Sequence, residues 1–166
     1  SVYDIAARKC AATVVVAPDK DYGTDVDALL ALVNDKTRVV FIANPNNPVG
    51  TWLGARELRD FLGSLPGHVI AVIDEAYSEY SREVDCADAA RWIVELPNLV
   101  VTRTFSKAYG LAGLRVGYAL SHPDVADLLN RVRQPFNVNS LALAAAEAAL
   151  DDTAHLEASV RLNREG

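Results

Sequence analysis

Methionine is missing from this chain, cysteine occurs twice and histidine three times. The two cysteines, Cys10 and Cys86, lie far apart without metal-ligand spacing, so they read as buried thiols ahead of a disulfide. His68, His122 and His155 share no motif and read as exposed or helix-capping side chains, which leaves no metal site to expect. No apolar run approaches the roughly 20 residues that cross a bilayer, so a membrane span is excluded. The start has neither the apolar centre of a signal peptide nor an arginine-rich leader, and the expectation is a cytoplasmic protein. Positive charge is short as well. The formal net charge is −6, whereas nucleic-acid binders gather Lys and Arg against phosphates. Arg131, Arg133, Arg161 and Arg164 alternate with apolar residues as solvated helix faces do. The glycines form neither G-x-G-x-x-G nor G-x-x-x-x-G-K-[ST], which removes the usual support for a dinucleotide fold or a P-loop.

What is present is a regular alternation. Half of the 166 residues are hydrophobic (51%), enough for one domain with a sizeable core. Runs rich in Val and Ile predict strands at 12–17, 38–43, 69–73, 98–103 and 115–120. Amphipathic stretches between them predict helices at 25–33, 55–62, 87–95, 123–132 and 140–151. Strands alternating with helices are the pattern of an α/β protein, a mostly parallel sheet covered by helices on both faces. Beyond 151 the chain turns polar and helical. It opens at Ser1 and stops within that helical stretch, as a piece of a longer protein would.

Three of the apolar runs end in polar residues: 39–43 runs into Asn44-Pro45-Asn46-Asn47-Pro48, 69–73 into Asp74-Glu75-Ala76-Tyr77, and 98–101 into Thr102-Arg103-Thr104-Phe105-Ser106-Lys107. In open α/β sheets ligands bind outside the carboxyl ends of the strands, so these tips predict one crevice. Lys107 is the most informative residue. Alone it would be a surface lysine, but Thr104 and Ser106 bring hydroxyls, Gly110, Gly113 and Gly117 permit close backbone approach, and Arg115 brings a fork of donors suited to phosphate. An amine in that setting can attack a carbonyl. Asp74, at the end of an apolar strand, needs a cation or hydrogen-bond donors beside it, or else caps the next turn. Asn47 sits in a turn restricted by two prolines that can hold an amide in fixed geometry, and Tyr77 can bring a phenol to the same ligand or pack as an ordinary aromatic. As a set these groups describe a site for pyridoxal phosphate, with an amine for the aldehyde, an acid for the ring nitrogen, polar donors for the ring oxygen, and Arg with hydroxyls for the phosphate.

The blocks NPNNPVG (44–50), DEAY (74–77) and RTFSKAYGLAGLRVG (103–117), in this order, resemble the fold-type I aminotransferases, and most closely their histidinol-phosphate branch. The resemblance runs over nearly the whole chain. It implies a three-layer αβα sandwich whose mostly parallel sheet carries one antiparallel strand, the one beginning near Arg115. It implies that Lys107 holds the cofactor aldehyde and shuttles a proton, that Asp74 pairs with the ring nitrogen, that Asn47 and Tyr77 bond the ring oxygen, and that Thr104, Ser106 and Arg115 bind phosphate. Residues 1–150 would form the cofactor-binding large domain, incomplete at its N-terminus, and 151–166 the start of a helix toward a small domain. Relatives place an aromatic on the cofactor ring just upstream of Ser1, and Tyr3 falls close to that position. The implied reaction moves an amino group between a small-molecule donor and a 2-oxo acid, glutamate and an imidazole-bearing phosphate ester being the pair, in a homodimer. An aromatic or other amino-acid aminotransferase, a phosphothreonine decarboxylase-like enzyme, and an inactive scaffold fragment are the competing expectations.

Overall fold

The computed structural model describes residues 2–81 and 85–166. Helix α1 (Val2–Lys9) leads through irregular chain to a small antiparallel hairpin, β1 (Asp19–Lys20) and β2 (Gly23–Thr24). Helix α2 (Val26–Leu32) starts where the Asp25 side chain accepts the Ala28 amide at 2.9 Å, an N-cap of the expected kind. There follow β3 (Val39–Ala43), α3 (Ala55–Ser64), β4 (Ile70–Asp74), β5 (Leu99–Thr104), β6 (Gly117–Ser121), α4 (Pro123–Val132), α5 (Ser140–Asp151) and α6 (Thr153–Glu165).

The main sheet has the order β3-β4-β5-β6. β3, β4 and β5 are parallel, and β6 runs antiparallel to β5, with Thr104 opposite Gly117 and Thr102 opposite Ala119. The antiparallel strand implied by the resemblance is therefore present. A Cβ on Gly117 would lie 2.7 Å from the Arg103 carbonyl oxygen, so glycine is what lets the two strands approach here.

Alternation along the strands sorts the layers, because successive side chains point to opposite faces. Val40, Ile42, Ala71, Ile73, Leu99 and Val101 face one side and are buried against α2 and α3. On α3 the buried side chains Leu58, Phe61 and Leu62, together with Leu65 just beyond it, recur at the spacing of one helix face. The opposite face carries Phe41, on which Tyr3 of α1 stacks with ring centroids 5.0 Å apart. A second apolar cluster joins Phe105 and Val116, just past the ends of β5 and β6, to Ala142 and Ala146 of α5. The architecture is thus mixed α/β with a mostly parallel sheet, as expected.

Two elements depart from the sequence reading. Residues 12–17 form no strand: no neighbouring strand completes their hydrogen bonds, and Val15 and Val16 stay exposed. Residues 87–95 form no α-helix, only a 3-10 turn over Ala89–Trp92 and further turns. Here the buried Glu75 carboxylate takes the Ala89 amide at 2.7 Å, and Pro97 follows closely, so local helix propensity yields to a tertiary bond. Cys10 is exposed and Cys86 half-buried, both unpaired. Burial pushes the Cys86 thiol up and away from thiolate reactivity.

Candidate active site

The polar tips meet at the carboxyl ends of β3, β4 and β5. Parallel pairing brings Ala43, Asp74 and Thr102 into one lateral row, at which the chain leaves β3 and β4 while β5 runs on to Thr104. The turn after β3 is built on Asn44, which is buried: its Oδ1 accepts the Leu53 amide at 2.7 Å and its Nδ2 donates to the Leu53 carbonyl at 3.3 Å. Within this clamp the Asn46 amide donates to the Thr51 carbonyl at 2.8 Å, and Gly50, at φ 76°, donates back to Asn46. The effect is to leave Asn47 exposed on a loop whose base is fastened.

Asn47 Nδ2 donates to the Tyr77 hydroxyl oxygen at 2.9 Å, and Lys107 Nζ lies 5.1 Å from the centre of the Tyr77 ring. A cation at that distance is attracted by the ring face. Amide, phenol and amine from three strand tips are thereby linked in a row. Asp74 is half-buried beside them. Its Oδ1 accepts the Ala76 amide at 3.1 Å and its Oδ2 accepts the Tyr3 hydroxyl at 2.6 Å. Thr104 Oγ1 accepts the Ser106 amide at 3.1 Å, a local bond that turns the chain from β5 toward Lys107. Arg115 caps the 3-10 turn Ala112–Leu114 in the left-handed region, φ 54°, and its Nη1 donates to the Ala112 carbonyl at 2.8 Å. The structure therefore joins Asn47, Tyr77 and Lys107 directly and Thr104 with Ser106, while Arg115 turns its guanidinium toward its own loop.

A groove of about 470 Å³ opens beside this row. It shares Asn47 and Tyr77 with it and continues past Asn46, Trp52 and Tyr80 to Asn163 of α6. Aromatic faces and amides line it, the kind of surface that orients a small polar ligand.

Three residues near the site make contacts that the sequence did not suggest. Tyr3 is the partner of Asp74. Glu75 is fully buried, with Arg103 donating to its Oε2 from Nε at 2.9 Å and from Nη2 at 2.6 Å, and Arg103 also reaching Asp88 at 2.7 Å. Burial pushes the Glu75 carboxyl up and the guanidinium pulls it back. Burial also disfavours the charge on Arg103, and Glu75 more than offsets this. The sequence holds a signal for this pair: Glu75 and Arg103 share the parity of the buried residues Ile73 and Val101 on their strands, so they belong to the core face.

The donor set fits pyridoxal phosphate by its chemistry. It supplies a primary amine, a carboxylate held at both oxygens, an amide–phenol pair, and hydroxyls with a guanidinium on one loop. Among the described residues no group of three or more His, Cys, Asp or Glu could hold a metal ion, and no helix is long and apolar enough to cross a membrane.

The chain is similar to known proteins along nearly its whole length. The model of the family "Aminotransferase class I and II" matches residues 1–165. The chain is 59% identical to histidinol-phosphate aminotransferase 2 of Methylococcus capsulatus, covering 100% of this chain and 46% of the relative. It is 59% identical to histidinol-phosphate aminotransferase 2 of Pseudomonas fluorescens, covering 100% and 45%. Among solved structures it resembles the histidinol-phosphate aminotransferase of Sinorhizobium meliloti in complex with pyridoxal-5'-phosphate. There the TM-score is 0.90 and the identity 36%, over 95% of this chain and 43% of that one. The chain thus spans less than half the length of these relatives.

Proposed function

Because the chain belongs to the aminotransferase class I and II family, we propose that it forms the cofactor-binding part of a pyridoxal-phosphate-dependent transaminase. The exchange is between a small-molecule amino donor and a 2-oxo acid, with histidinol phosphate and 2-oxoglutarate as the pair. The relatives' names support histidinol phosphate as one member of that pair. The observation that carries the reading is the linked row Asn47–Tyr77–Lys107 at the strand ends, beside Asp74.

Each residue then has a task. Lys107 Nζ would hold the cofactor aldehyde carbon and, once displaced by a substrate amine, would carry the proton away from the substrate carbon. Its place over the Tyr77 ring keeps the amine near the ligand when it is not bonded. Asp74 would face the ring nitrogen and keep a proton there. Asn47 and Tyr77, already bonded to each other, would donate to the ring oxygen. Thr104, Ser106 and Arg115 would bind phosphate, Arg115 sharing its guanidinium between the Ala112 carbonyl and the ligand. When bound, the cofactor ring supplies the electron sink that makes the substrate carbon acidic.

Residues 1–150 would make up this cofactor-binding unit, with 151–166 leading away from it. Association in pairs is part of the reading. It is supported by apolar side chains that α4 and the segment after it present to solvent, Leu128, Val132 and, at 97% exposure, Phe136. Residence in the cytoplasm is also part of it, consistent with the two free thiols.

The test is a visible spectrum of the chain mixed with pyridoxal phosphate, with Lys107→Ala alongside, followed by addition of glutamate. A yellow band that needs Lys107 and bleaches with the amino donor is the expected result. A spectrum indifferent to Lys107 would overturn the reading.

A further inference from the structure

Tyr3 lies in the first helix, far along the chain from Asp74, and reaches it across the sheet. The ring is parallel to Phe41, with 10° between the planes. Phe41 and Asp74 lie on the same face, because Phe41 is opposite Val72 and Ala43 opposite Asp74 in the parallel register. The stack therefore aims the hydroxyl at the end of β4, where it donates to Asp74 Oδ2 at 2.6 Å. That length belongs to hydrogen bonds with an ionised acceptor. Burial, the bond to Asp74 and the charge on Asp74 all raise the proton affinity of the phenol, so it remains a donor through neutral pH.

A carboxylate at a strand end can rotate. Here the Ala76 amide fixes Oδ1 and the Tyr3 phenol fixes Oδ2. Each oxygen has a second lone pair, so neither bond uses up the group, and Oδ2 can still receive another donor. The stack on Phe41 would be made equally well by phenylalanine. What the hydroxyl adds is the aim of the carboxylate.

We propose that Tyr3 is a positioning residue that holds Asp74 in the orientation in which it meets the ring nitrogen of pyridoxal phosphate. The inference rests on the assignment of Asp74 to that nitrogen. Tyr3 touches neither cofactor nor substrate in this scheme; it acts through Asp74.

The experiment compares two probes on the 166-residue chain: pyridoxal phosphate and its 1-deaza analogue, in which C–H replaces the ring nitrogen while aldehyde, hydroxyl and phosphate are kept. Their affinities are read from the Lys107-dependent absorption band, for the wild-type chain and for Tyr3→Phe, with far-ultraviolet circular dichroism confirming that the fold is retained. The wild-type chain should prefer pyridoxal phosphate. Tyr3→Phe should lower that affinity about tenfold, as losing a hydrogen bond to a charged group does, and leave the analogue's affinity unchanged within about twofold, since the analogue makes no bond to Asp74. Equal losses for both probes would mean that Tyr3 only supports the fold, and no loss for either would mean that the bond does not matter; both overturn the proposal and leave Asp74 in place. A wild-type chain that binds both probes equally would remove Asp74 from the ring nitrogen, and the proposal with it.

Discussion

Asp74 and Glu75 are consecutive in the chain, yet their carboxylates leave β4 in opposite directions. Asp74 is held by Tyr3 on one face of the sheet, and Glu75, with no exposed surface, by Arg103 on the other. One acid is kept within reach of a ligand while its neighbour is withdrawn into the protein. The withdrawn acid anchors the strand end that presents the first.

That anchor has a measurable weight. Glu75→Ala leaves Arg103 half-buried with, among the described residues, Asp88 as its remaining acidic partner and should cost about 3 kcal/mol, the scale of breaking one side of a buried pair. Arg91→Ala removes an exposed contact to the same Asp88 and should cost less than about 0.5 kcal/mol. Urea unfolding midpoints of the two variants check the difference; similar values would mean that the buried pair contributes no more than the surface one.

Two neighbouring asparagines should separate stability from binding. Asn44→Ala leaves the buried Leu53 amide without a partner and the Leu53 carbonyl with only the Ala87 amide at 3.4 Å, and should destabilise the chain by about 2 kcal/mol. Asn47→Ala, on the exposed turn, should change stability by less than about 0.5 kcal/mol while weakening cofactor binding. Thermal melts and a cofactor titration on both variants check this, and a stable Asn44→Ala chain would show that the turn does not depend on its clamp.

Gly117→Ala forces a methyl group against the Arg103 carbonyl at 2.7 Å, so β5 and β6 must part; a loss of about 1–3 kcal/mol is expected. At Gly113 a Cβ meets nothing within 4 Å, and Gly113→Ala should stay within about 0.5 kcal/mol of wild type. Differential scanning calorimetry of the pair decides it.

Tyr3 makes alkaline stability depend on one phenol. Burial first, then the bond to Asp74, raises its proton affinity above the ordinary value of 10.0. A group raised in the folded state stabilises fully below its unfolded value, and the contribution is lost as pH climbs toward the folded value. The stability gap between wild type and Tyr3→Phe should therefore be constant up to about pH 10 and narrow above it. Urea midpoints across that range check this, and a constant gap would mean that the phenol titrates alike in the folded and the unfolded chain.

Lys107, Asp74 and Asn47 were legible because each stands where an apolar run stops, and in a parallel sheet stopping points fall together. Tyr3 was not legible as a partner of Asp74, since nothing local in a short amphipathic helix says which strand its phenol will reach. The valines at 14–16 misled for the opposite reason: β-propensity describes fitness for a sheet, and a strand exists only where another strand pairs with it. Helix boundaries came close wherever caps were explicit. Segment 25–33 became Val26–Leu32 behind its Asp25 cap, and 123–132 became Pro123–Val132 behind His122, whose side chain accepts the Asp124 amide. Segment 87–95 failed because the acceptor that claims its backbone, Glu75, lies just past β4.

The antiparallel pairing of β5 and β6 has a mechanical consequence. The segment carrying Lys107 leaves the sheet at Thr104 and returns at Gly117, directly opposite, and the Phe105 amide still bonds the Val116 carbonyl at 3.2 Å. The loop is closed at its base like a noose, so the amine and the guanidinium it carries are tethered to a single rung of the sheet. Lengthening the loop would change the distance between them without moving that rung, whereas a slip of β6 by one residue would carry Arg115 to the other side of the ribbon and leave Lys107 where it is.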